Sequence, residues 1–247
     1  MTRNAFSEKV NQIQRNLEEV YERMDRAAEK SGRKGSDIQL VAVTKLMPLE
    51  TIRAGIAAGL RAFGENYPEQ AAEKISALRT EHNLTWHMIG HIQSRKTSTV
   101  CEFFDWVHSV DRMKIARYLD RYSREADRVM PVLIEVNLSG EESKHGWPAW
   151  DEESWPKLVP QFAEIAQFPH IKVRGLMTMP PLFEDEELTR PYYQRLRRLQ
   201  TYLQKALPEM NWKDLSIGTS FDYEVAIEEG ATMVRLGTTL FGSRPTH

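Results

Sequence analysis

One lysine, Lys45, stands at the end of the apolar stretch 38–44 and could carry covalent chemistry. The stretch is rich in β-branched residues, has strand length and is closed by Met47-Pro48, which predicts a buried strand and a turn. The carboxyl end of a buried parallel strand is where α/β folds place their active sites. Burial there lowers the pKa of an amine, which can then form an imine with an aldehyde. From the strand alone, a lysine that extends into solvent is the simpler interpretation.

Two glycine-hydroxyl stretches, 218–220 and 237–239, suit an anion. The first precedes a predicted helix that begins near Tyr223, and the second follows the last predicted strand. Glycine permits close backbone approach, hydroxyls donate hydrogen bonds, and a helix amino terminus adds unpaired N–H groups. Either Ser220 or Asp222 alone could be a simple helix N-cap. Two such loops after the seventh and eighth predicted strands, where barrels frequently bind phosphate, favour a phosphate site. The chain has no Walker-type loop, so we do not expect a nucleoside triphosphate.

Arg235 lies inside an apolar strand, two residues before the second of these loops. A buried arginine needs an acceptor because it cannot lose its proton. The structural interpretation is a salt bridge to a carboxylate such as Glu65. The functional interpretation is a donor to a ring nitrogen or a phosphate of a ligand. The sequence leaves both open.

A lysine at a strand end, a phosphate site and a buried arginine together suit an aldehyde that bears a phosphate. Pyridoxal 5′-phosphate (PLP) would use all three, as imine partner, phosphate anchor and neighbour of the ring nitrogen. A sugar-phosphate aldolase would use the first two equally well. The residues by themselves leave these two hypotheses open.

Other reactive residue types give weaker signals. His87 and His91 are four residues apart but flank a predicted strand end, so they need not face each other, and the remaining histidines show no paired metal-ligand spacing. We therefore predict no metal site. The single cysteine, Cys101, lies among aromatic residues and is expected to pack as a small apolar side chain. Hydrolase chemistry lacks its G-x-S-x-G turn.

Alternating strand and helix patterns supply the elements that would position these groups. A helical stripe over residues 6–30 ends at the turn 32–35. Eight predicted strands follow, with helical patterns between them, for example 49–58, 68–78, 112–126, 154–166, 189–206 and 223–229. The predicted strands are 38–45, 61–64, 85–90, 106–110, 132–138, 173–179, 214–217 and 233–237.

This alternation predicts a parallel sheet with right-handed crossovers, and eight units match a closed (β/α)8 TIM barrel. An open doubly wound sheet is the alternative, but the glycine-rich turn expected after its first strand is absent. We predict one domain over residues 1–247, with an extra N-terminal helix and turn in 1–35 and the barrel in 36–247. The segment 147–156 holds three tryptophans and two prolines, which predicts a packed surface loop or, alternatively, a lid or contact surface.

Composition narrows the partners and the compartment. The formal net charge of the 247 residues is -2 and 28% of them are charged, which gives no sign of a nucleic-acid or membrane partner. No apolar stretch reaches membrane-span length, and the N-terminal residues do not resemble a secretory signal. A single cysteine fits a reducing compartment. We predict a cytoplasmic protein.

The order of the motifs resembles the pyridoxal phosphate homeostasis proteins, the small family often called YggS or PROSC. The resemblance runs from about residue 36 to residue 244. The segments that carry it are AVTK at 42–45, FGENY at 63–67, WHMIG at 86–90, IQS at 92–94, EVNL at 135–138, SKHG at 143–146, RGLMTM at 174–179, LSIGTS at 215–220 and MVRLG at 233–237.

The resemblance implies a PLP fold-type III barrel, like the barrel domain of alanine racemase without its second domain. It implies that Lys45 carries PLP as an imine, that Asn66 lies beside the cofactor, and that three residues of the two loops bind the phosphate. Arg235 would face the pyridine nitrogen or the phosphate, and we favour the nitrogen. The predicted cofactor-binding residues are Lys45, Asn66, Met177, Ser220, Arg235, Gly237 and Thr238.

Two functions follow from the resemblance. The first is a PLP carrier in vitamin B6 and amino-acid homeostasis, which holds the cofactor and passes it to apo-enzymes. The alternative is an amino-acid racemase-like enzyme, which needs a second acid–base residue on the opposite face of the cofactor. Alanine racemase supplies that residue from outside its barrel, and the candidates here are Tyr67, His87 and His91. We favour the carrier, predict no catalytic residues, and expect a monomer.

Overall fold

Eight parallel strands close into a barrel in the computed structural model of the chain, which describes residues 2–242. The barrel strands follow one another around the ring in the order β4-β3-β2-β1-β9-β8-β7-β5, and a pairing of β4 with β5 closes it. The predicted domain ends, at residue 1 and beyond residue 242, lie outside the described residues. The strands are β1 (Gln39–Val43), β2 (Ala62–Glu65), β3 (Thr85–Met88), β4 (Trp106–Val110), β5 (Met130–Asn137), β6 (Trp147–Pro148), β7 (Ile171–Met177), β8 (Asp214–Thr219) and β9 (Met233–Leu236).

Helices surround the barrel on the outside. Each of the predicted helical patterns is present, with bounds that differ by a few residues. The helices are α1 (Arg3–Lys30), α2 (Leu49–Ala57), α3 (Pro68–Ala77), α4 (Thr97–Phe103), α5 (Met113–Glu125), α6 (Val159–Ala166), α7 (Arg190–Ala206), α8 (Tyr223–Glu228) and α9 (Thr238–Phe241). The predicted (β/α)8 barrel with an extra N-terminal helix is therefore confirmed. No helix in residues 2–242 is long and apolar enough to cross a membrane.

The extra helix α1 belongs to the outer layer, where it packs against α2, α8 and α9. Its buried stripe, which includes Ile13, Val20 and Met24, follows the helical spacing of the sequence. Asn16 donates from Nδ2 to the carbonyl of Leu240 at 2.9 Å, which ties the helix to the short α9. In the described part of the chain, α1 thus covers the barrel where the eighth unit has only one helical turn.

The tryptophan-rich segment 147–156 is more regular than the predicted loop. Trp147 belongs to β6, which pairs in parallel with β5, and residues 152–157 form a 3₁₀ helix. Trp147 and Trp155 are buried, and their indole N–H groups donate to the carbonyls of Val110 and Ala149, both at 3.0 Å. Only Trp150 of the three is exposed. Two tryptophans therefore anchor the segment to the barrel, which does not support the alternative of a lid.

Candidate functional site

A cavity of about 510 Å³ opens at the carboxyl ends of the strands. Residues at or just after the ends of β1, β2, β3, β7, β8 and β9 line it, as expected for the mouth of a parallel barrel. The lining residues are Val43, Lys45, Asn66, Ile89, Met179, Thr219, Ser220, Phe221, Arg235, Gly237 and Thr238.

Lys45 follows β1 by two residues and is half-buried at the cavity wall. The turn that carries Lys45 is held by the preceding residue, Thr44. The hydroxyl of Thr44 donates to Glu65 Oε1 at 2.8 Å. The Nζ of Lys74 donates to the same Oε1 at 2.8 Å and to the Thr44 carbonyl at 3.0 Å. The buried Thr44 and Glu65, together with the partly buried Lys74, hold the end of β1 against β2 and so position Lys45.

The same group rules out one interpretation of Arg235. The sequence allowed a salt bridge from Arg235 to Glu65, but the cation that pairs with Glu65 is Lys74. This structural interpretation of Arg235 is therefore wrong. The order of the elements explains why Lys74 and not Arg235 pairs with Glu65. Lys74 lies on α3, the helix that directly follows β2 and returns past the end of that strand.

Arg235 lies in β9 with 4% of its surface exposed and its guanidinium at the cavity. Its Nη1 donates to the carbonyl of Ser216 at 2.6 Å and to Ser216 Oγ at 2.7 Å, and its Nη2 donates to the carbonyl of Thr178 at 3.2 Å. Burial lowers the pKa of Arg235, whereas the nearby Tyr193, Asp222 and Glu135 raise it. The guanidinium thus has its place fixed by β7 and β8.

Two buried histidines extend this contact into the barrel interior. Ser216 Oγ lies 2.8 Å from His108 Nδ1, and His108 Nε2 lies 2.9 Å from His87 Nδ1. Because Ser216 Oγ already accepts a hydrogen bond from Arg235, its own hydroxyl can donate to His108 Nδ1. His108 then donates from Nε2 to His87 Nδ1. Burial lowers the pKa of His87 to about 3 and that of His108 well below its usual value, so both rings are neutral at pH 7.

The two glycine-hydroxyl loops meet at the other side of the cavity. Ser220 Oγ accepts hydrogen bonds from the backbone N–H of Gly237 at 3.0 Å and of Thr239 at 3.3 Å. Gly218 has a φ of +86°, and a Cβ there would lie 2.7 Å from Ala226 Cβ, so only glycine permits this approach of loop and helix. Backbone N–H groups and hydroxyls from both loops therefore converge on one wall.

Asp222 precedes α8 but does not cap it with its side chain. Its Oδ1 accepts from the backbone N–H of Thr219 at 2.8 Å and from the Thr219 hydroxyl at 3.0 Å, and the Tyr193 hydroxyl donates to its Oδ2. The carboxylate therefore folds the loop 219–222 back on itself. Asp222 thus occupies the N-cap position of α8 without a side-chain cap hydrogen bond, and Ser220 turns to the second loop, so neither side chain acts as a simple cap.

Asn66 carries an unmet hydrogen-bonding capacity at the cavity. Its buried Oδ1 has no hydrogen-bond partner among residues 2–242. The backbone of Asn66 is closely packed, since a Cβ on Gly90 would lie 2.7 Å from Asn66 Cα. A fixed, buried acceptor of this kind suits a ligand that donates a hydrogen bond there.

Six of the seven predicted cofactor-binding residues line this one cavity, namely Lys45, Asn66, Ser220, Arg235, Gly237 and Thr238. Met177 does not, because it lies inside the barrel and packs with Leu133 and Met233. Met179, two residues further along, lines the cavity in its place. The apolar lining residues Val43, Ile89 and Phe221 were not predicted. Val43 and Phe221 lie within two residues of the predicted Lys45 and Ser220, whereas Ile89 lies near no predicted cofactor-binding residue in the sequence.

The comparisons with known proteins agree with this fold. Residues 11–245 match the family described as the alanine racemase N-terminal domain. The alanine racemase of Streptomyces lavendulae is 18% identical and shares the fold, with a TM-score of 0.67 over 96% of this chain and 58% of that one. The class of protein is thus an alanine racemase-like barrel.

Relatives with higher identity define the family more narrowly. The pyridoxal phosphate homeostasis protein of Vibrio cholerae is 40% identical over 236 residues, which cover 94% of this chain and 96% of the relative. That of Escherichia coli is 36% identical over 95% of this chain and 98% of the relative. The structure of PipY from Synechococcus elongatus with PLP bound is 35% identical, with a TM-score of 0.78 over 87% of this chain and 100% of that one. This chain belongs to the pyridoxal phosphate homeostasis protein family.

Proposed function

We propose that this protein binds PLP in the cavity at the carboxyl ends of its strands and acts as a carrier in PLP and amino-acid homeostasis. The observation that supports this is one cavity lined by a lysine, a buried arginine and two N–H- and hydroxyl-rich loops. These groups match the aldehyde, the ring nitrogen and the phosphate of PLP, respectively. A sugar-phosphate aldolase would use the lysine and the phosphate loops but leave the buried arginine without a role.

The bound group supplies an aldehyde, which condenses with a primary amine to a C=N link and releases one water. In this proposal the amine is that of Lys45, on the turn fixed by Thr44 and Glu65. Ser220, Gly237 and Thr238 bind the phosphate through hydroxyl and backbone N–H groups. Asn66 accepts a hydrogen bond through its free Oδ1.

Arg235 supports a carrier over a racemase. A guanidinium beside the pyridine nitrogen keeps this nitrogen unprotonated, which makes the ring a weaker electron sink. The hydrogen bonds from Arg235 to Ser216 and Thr178 fix the cation in place, so it cannot turn away to relieve this effect.

The candidates for a second acid–base residue also favour the carrier. Tyr67, His87 and His91 are all absent from the cavity lining. Tyr67 is 44% exposed, His87 is bound to His108 inside the barrel, and His91 pairs with Asp111 at the rim. Within residues 2–242 no candidate therefore stands across the cavity from Lys45.

The test is covalent capture of PLP by borohydride reduction, followed by peptide mass spectrometry. We expect one label per chain, on the peptide that contains Lys45. Lys45→Ala should lose the label and keep its circular dichroism spectrum, whereas Lys213→Ala, an exposed lysine before β8, should be labelled like the wild type. Label on another lysine in Lys45→Ala, at wild-type yield, contradicts the proposed anchor.

Turnover separates the carrier from the enzyme. We expect PLP-loaded protein to racemise amino acids no faster than free PLP, as followed by chiral chromatography across the common amino acids. Loss of optical activity well above that of free PLP, abolished in Lys45→Ala, would establish the racemase instead. Transfer of PLP to an apo-enzyme is the activity that a carrier requires.

The proposal extends to the setting in which the carrier works. We propose that it acts in the cytoplasm as a monomer and passes PLP to apo-enzymes. The single cysteine, Cys101, is buried and unpaired, which suits a reducing compartment. Sedimentation equilibrium at micromolar concentration tests the monomer, and a stable dimer would contradict it.

A further inference from the structure

Three polar side chains outside the cofactor cavity converge at the same end of the barrel. His91 follows β3, Asp111 follows β4 and His145 follows β5. One ligand atom from each lies within 4.8 Å of the other two. The sequence predicted no metal site, because these residues come from three separate loops and show no local spacing.

The geometry points to a new site: we propose that His91, Asp111 and His145 bind a borderline divalent transition metal ion such as Zn²⁺ at the rim of the barrel. Imidazole nitrogens with one carboxylate oxygen are a donor set that suits Zn²⁺, Cu²⁺ or Ni²⁺. Mg²⁺ and Ca²⁺ prefer oxygen donors and are not expected to bind here.

The distances fit such an ion. His91 Nδ1 lies 2.9 Å from Asp111 Oδ2, and His145 Nδ1 lies 3.9 Å from the same oxygen. Metal–ligand bonds of about 2.0–2.1 Å in a tetrahedral site place the donor atoms roughly 3.3 Å apart. The two measured separations bracket this value, so the site forms when the two histidine rings turn towards one ion.

His91 and His145 lie face to face beside the Asp111 carboxylate. The Nδ1 of His145 is 3.9 Å from Asp111 Oδ2, which is too far for a hydrogen bond, so His145 does not saturate this oxygen. The two rings stack with centroids 3.7 Å apart and an interplanar angle of 18°. Because nearly parallel rings direct their nitrogen lone pairs side by side, both rings must turn out of the stack before one ion can bind both nitrogens.

Arg112 both supports the site and competes with it. It donates from Nη1 to both oxygens of Asp111 at 2.6 Å, which fixes the carboxylate beside the two histidines and also competes with an ion for it.

The loops that carry the ligands are held in place on the barrel. Gly146, next to His145, has a φ of +112°, and a Cβ there would lie 2.7 Å from the backbone nitrogen of Asn137. The Asn137 side chain donates to the carbonyl of Glu141 at 2.9 Å, which closes the loop after β5. Three protein ligands on fixed loops, with the His145 side chain 54% exposed, leave a coordination position open to water.

The test is calorimetric titration of Zn²⁺ into the full chain, without an affinity tag and with the PLP content of all variants matched. We expect one saturable site per chain. His91→Ala, Asp111→Asn and His145→Ala should each weaken binding by at least about tenfold, the lower bound of what loss of a metal-supporting residue costs. His145 is exposed, so its variant is expected to fold even if the Asp111 variant does not.

His170 provides the matched control, since it lies 3.5 Å from Asp120 and joins no three-ligand group in the described residues. His170→Ala should bind Zn²⁺ like the wild type. Electron paramagnetic resonance of one equivalent of Cu²⁺ should show coupling to two imidazole nitrogens in the wild type and to one in His145→Ala. No saturable site, or equal loss of affinity in His145→Ala and His170→Ala, would overturn the proposal.

Discussion

Two pairs of histidines lie at different depths of the same barrel. His87 and His108 belong to the strands β3 and β4, are completely buried, and meet edge to face with an interplanar angle of 82° and a hydrogen bond of 2.9 Å. His91 and His145 lie beyond the strand ends, stack in parallel and share the carboxylate of Asp111. His87 and His91 are only four positions apart in the sequence.

Depth decides what each pair can do. Among residues 2–242 no carboxylate pairs with either interior ring, so burial keeps both rings neutral, and their hydrogen bonds link Ser216 to the barrel core. The rim pair has an acid and access to solvent, so it can exchange protons or bind an ion. We expect changes in the interior to alter stability, and removal of the exposed His145 at the rim to alter ion binding with little effect on stability.

The largest expected effect comes from Arg235→Leu. This change removes the cation that begins the hydrogen-bonded series from Arg235 through Ser216 and the two interior histidines. The carbonyls of Ser216 and Thr178 would lose their side-chain donor in a buried site. We expect the free energy of unfolding, measured by urea denaturation, to fall by about 2–4 kcal/mol, because two buried carbonyls would each lose a donor at a cost of about 1–3 kcal/mol. Lysine capture of PLP should fall as well.

Arg95→Ala is the matched control, because this arginine is exposed and its Nε hydrogen-bonds only to Gln93 among the described contacts. We expect a change within about 0.5 kcal/mol. If Arg235→Leu lowers the free energy of unfolding by less than about 1 kcal/mol, the hydrogen-bonded series in the interior does not stabilise the barrel. The interior and rim histidines would then not differ in their effect on stability.

The sequence allowed the barrel and most of the cavity to be predicted, because strand ends and glycine turns are local signals. Lys45, Ser220 and Gly237 could be found in this way, since all polar residues at the strand ends of a parallel barrel face one mouth. Met177 could not be separated from Met179. The predicted strand 173–179 would place both on the same side, whereas β7 ends at Met177, and Met179 in the following turn reaches the cavity.

Contacts between distant strands were beyond the reach of the sequence. The link from Arg235 through Ser216 to His108 depends on β8 facing β4 across the barrel interior, which no spacing along the chain indicates. The pairing of Glu65 with Lys74 rather than Arg235 likewise required the position of α3 over the end of β2. Side chains that compete for one partner can be ranked only when all their distances are known.

The next effect concerns the dependence of stability on pH. The pKa of His87 is about 3 in the folded protein and 6.5 in the unfolded chain, so the unfolded chain binds more protons between these values. The stability that His87 contributes is complete above pH 6.5 and is lost as the pH falls towards 3. Between pH 8 and pH 5 the loss is about 2 kcal/mol, at 1.36 kcal/mol per pKa unit.

His87→Leu should lack this loss, so the difference in unfolding free energy between variant and wild type should shrink by about 2 kcal/mol from pH 8 to pH 5. Taking the difference removes the opposing contribution of Glu135, whose pKa burial raises to about 7 in both proteins. Nuclear magnetic resonance gives a direct measurement, since the His87 ring signals should not titrate between pH 8 and pH 4.5. Titration near pH 6.5 would show an interior open to water.

The smallest expected effect is that of His145→Ala on the metal-free protein. The side chain is exposed and its Nδ1 is too far from Asp111 Oδ2 for a hydrogen bond, so its removal should change the free energy of unfolding by less than about 0.5 kcal/mol. His108→Leu, which takes a neutral hydrogen-bonded ring from the interior, should cost about 1–3 kcal/mol under the same conditions. Addition of Zn²⁺ should then raise the melting temperature of the wild type and of His108→Leu, but not that of His145→Ala. If His145→Ala instead destabilises the metal-free protein as much as His108→Leu does, the rim pair is part of the folding core, and its open geometry does not indicate a binding site.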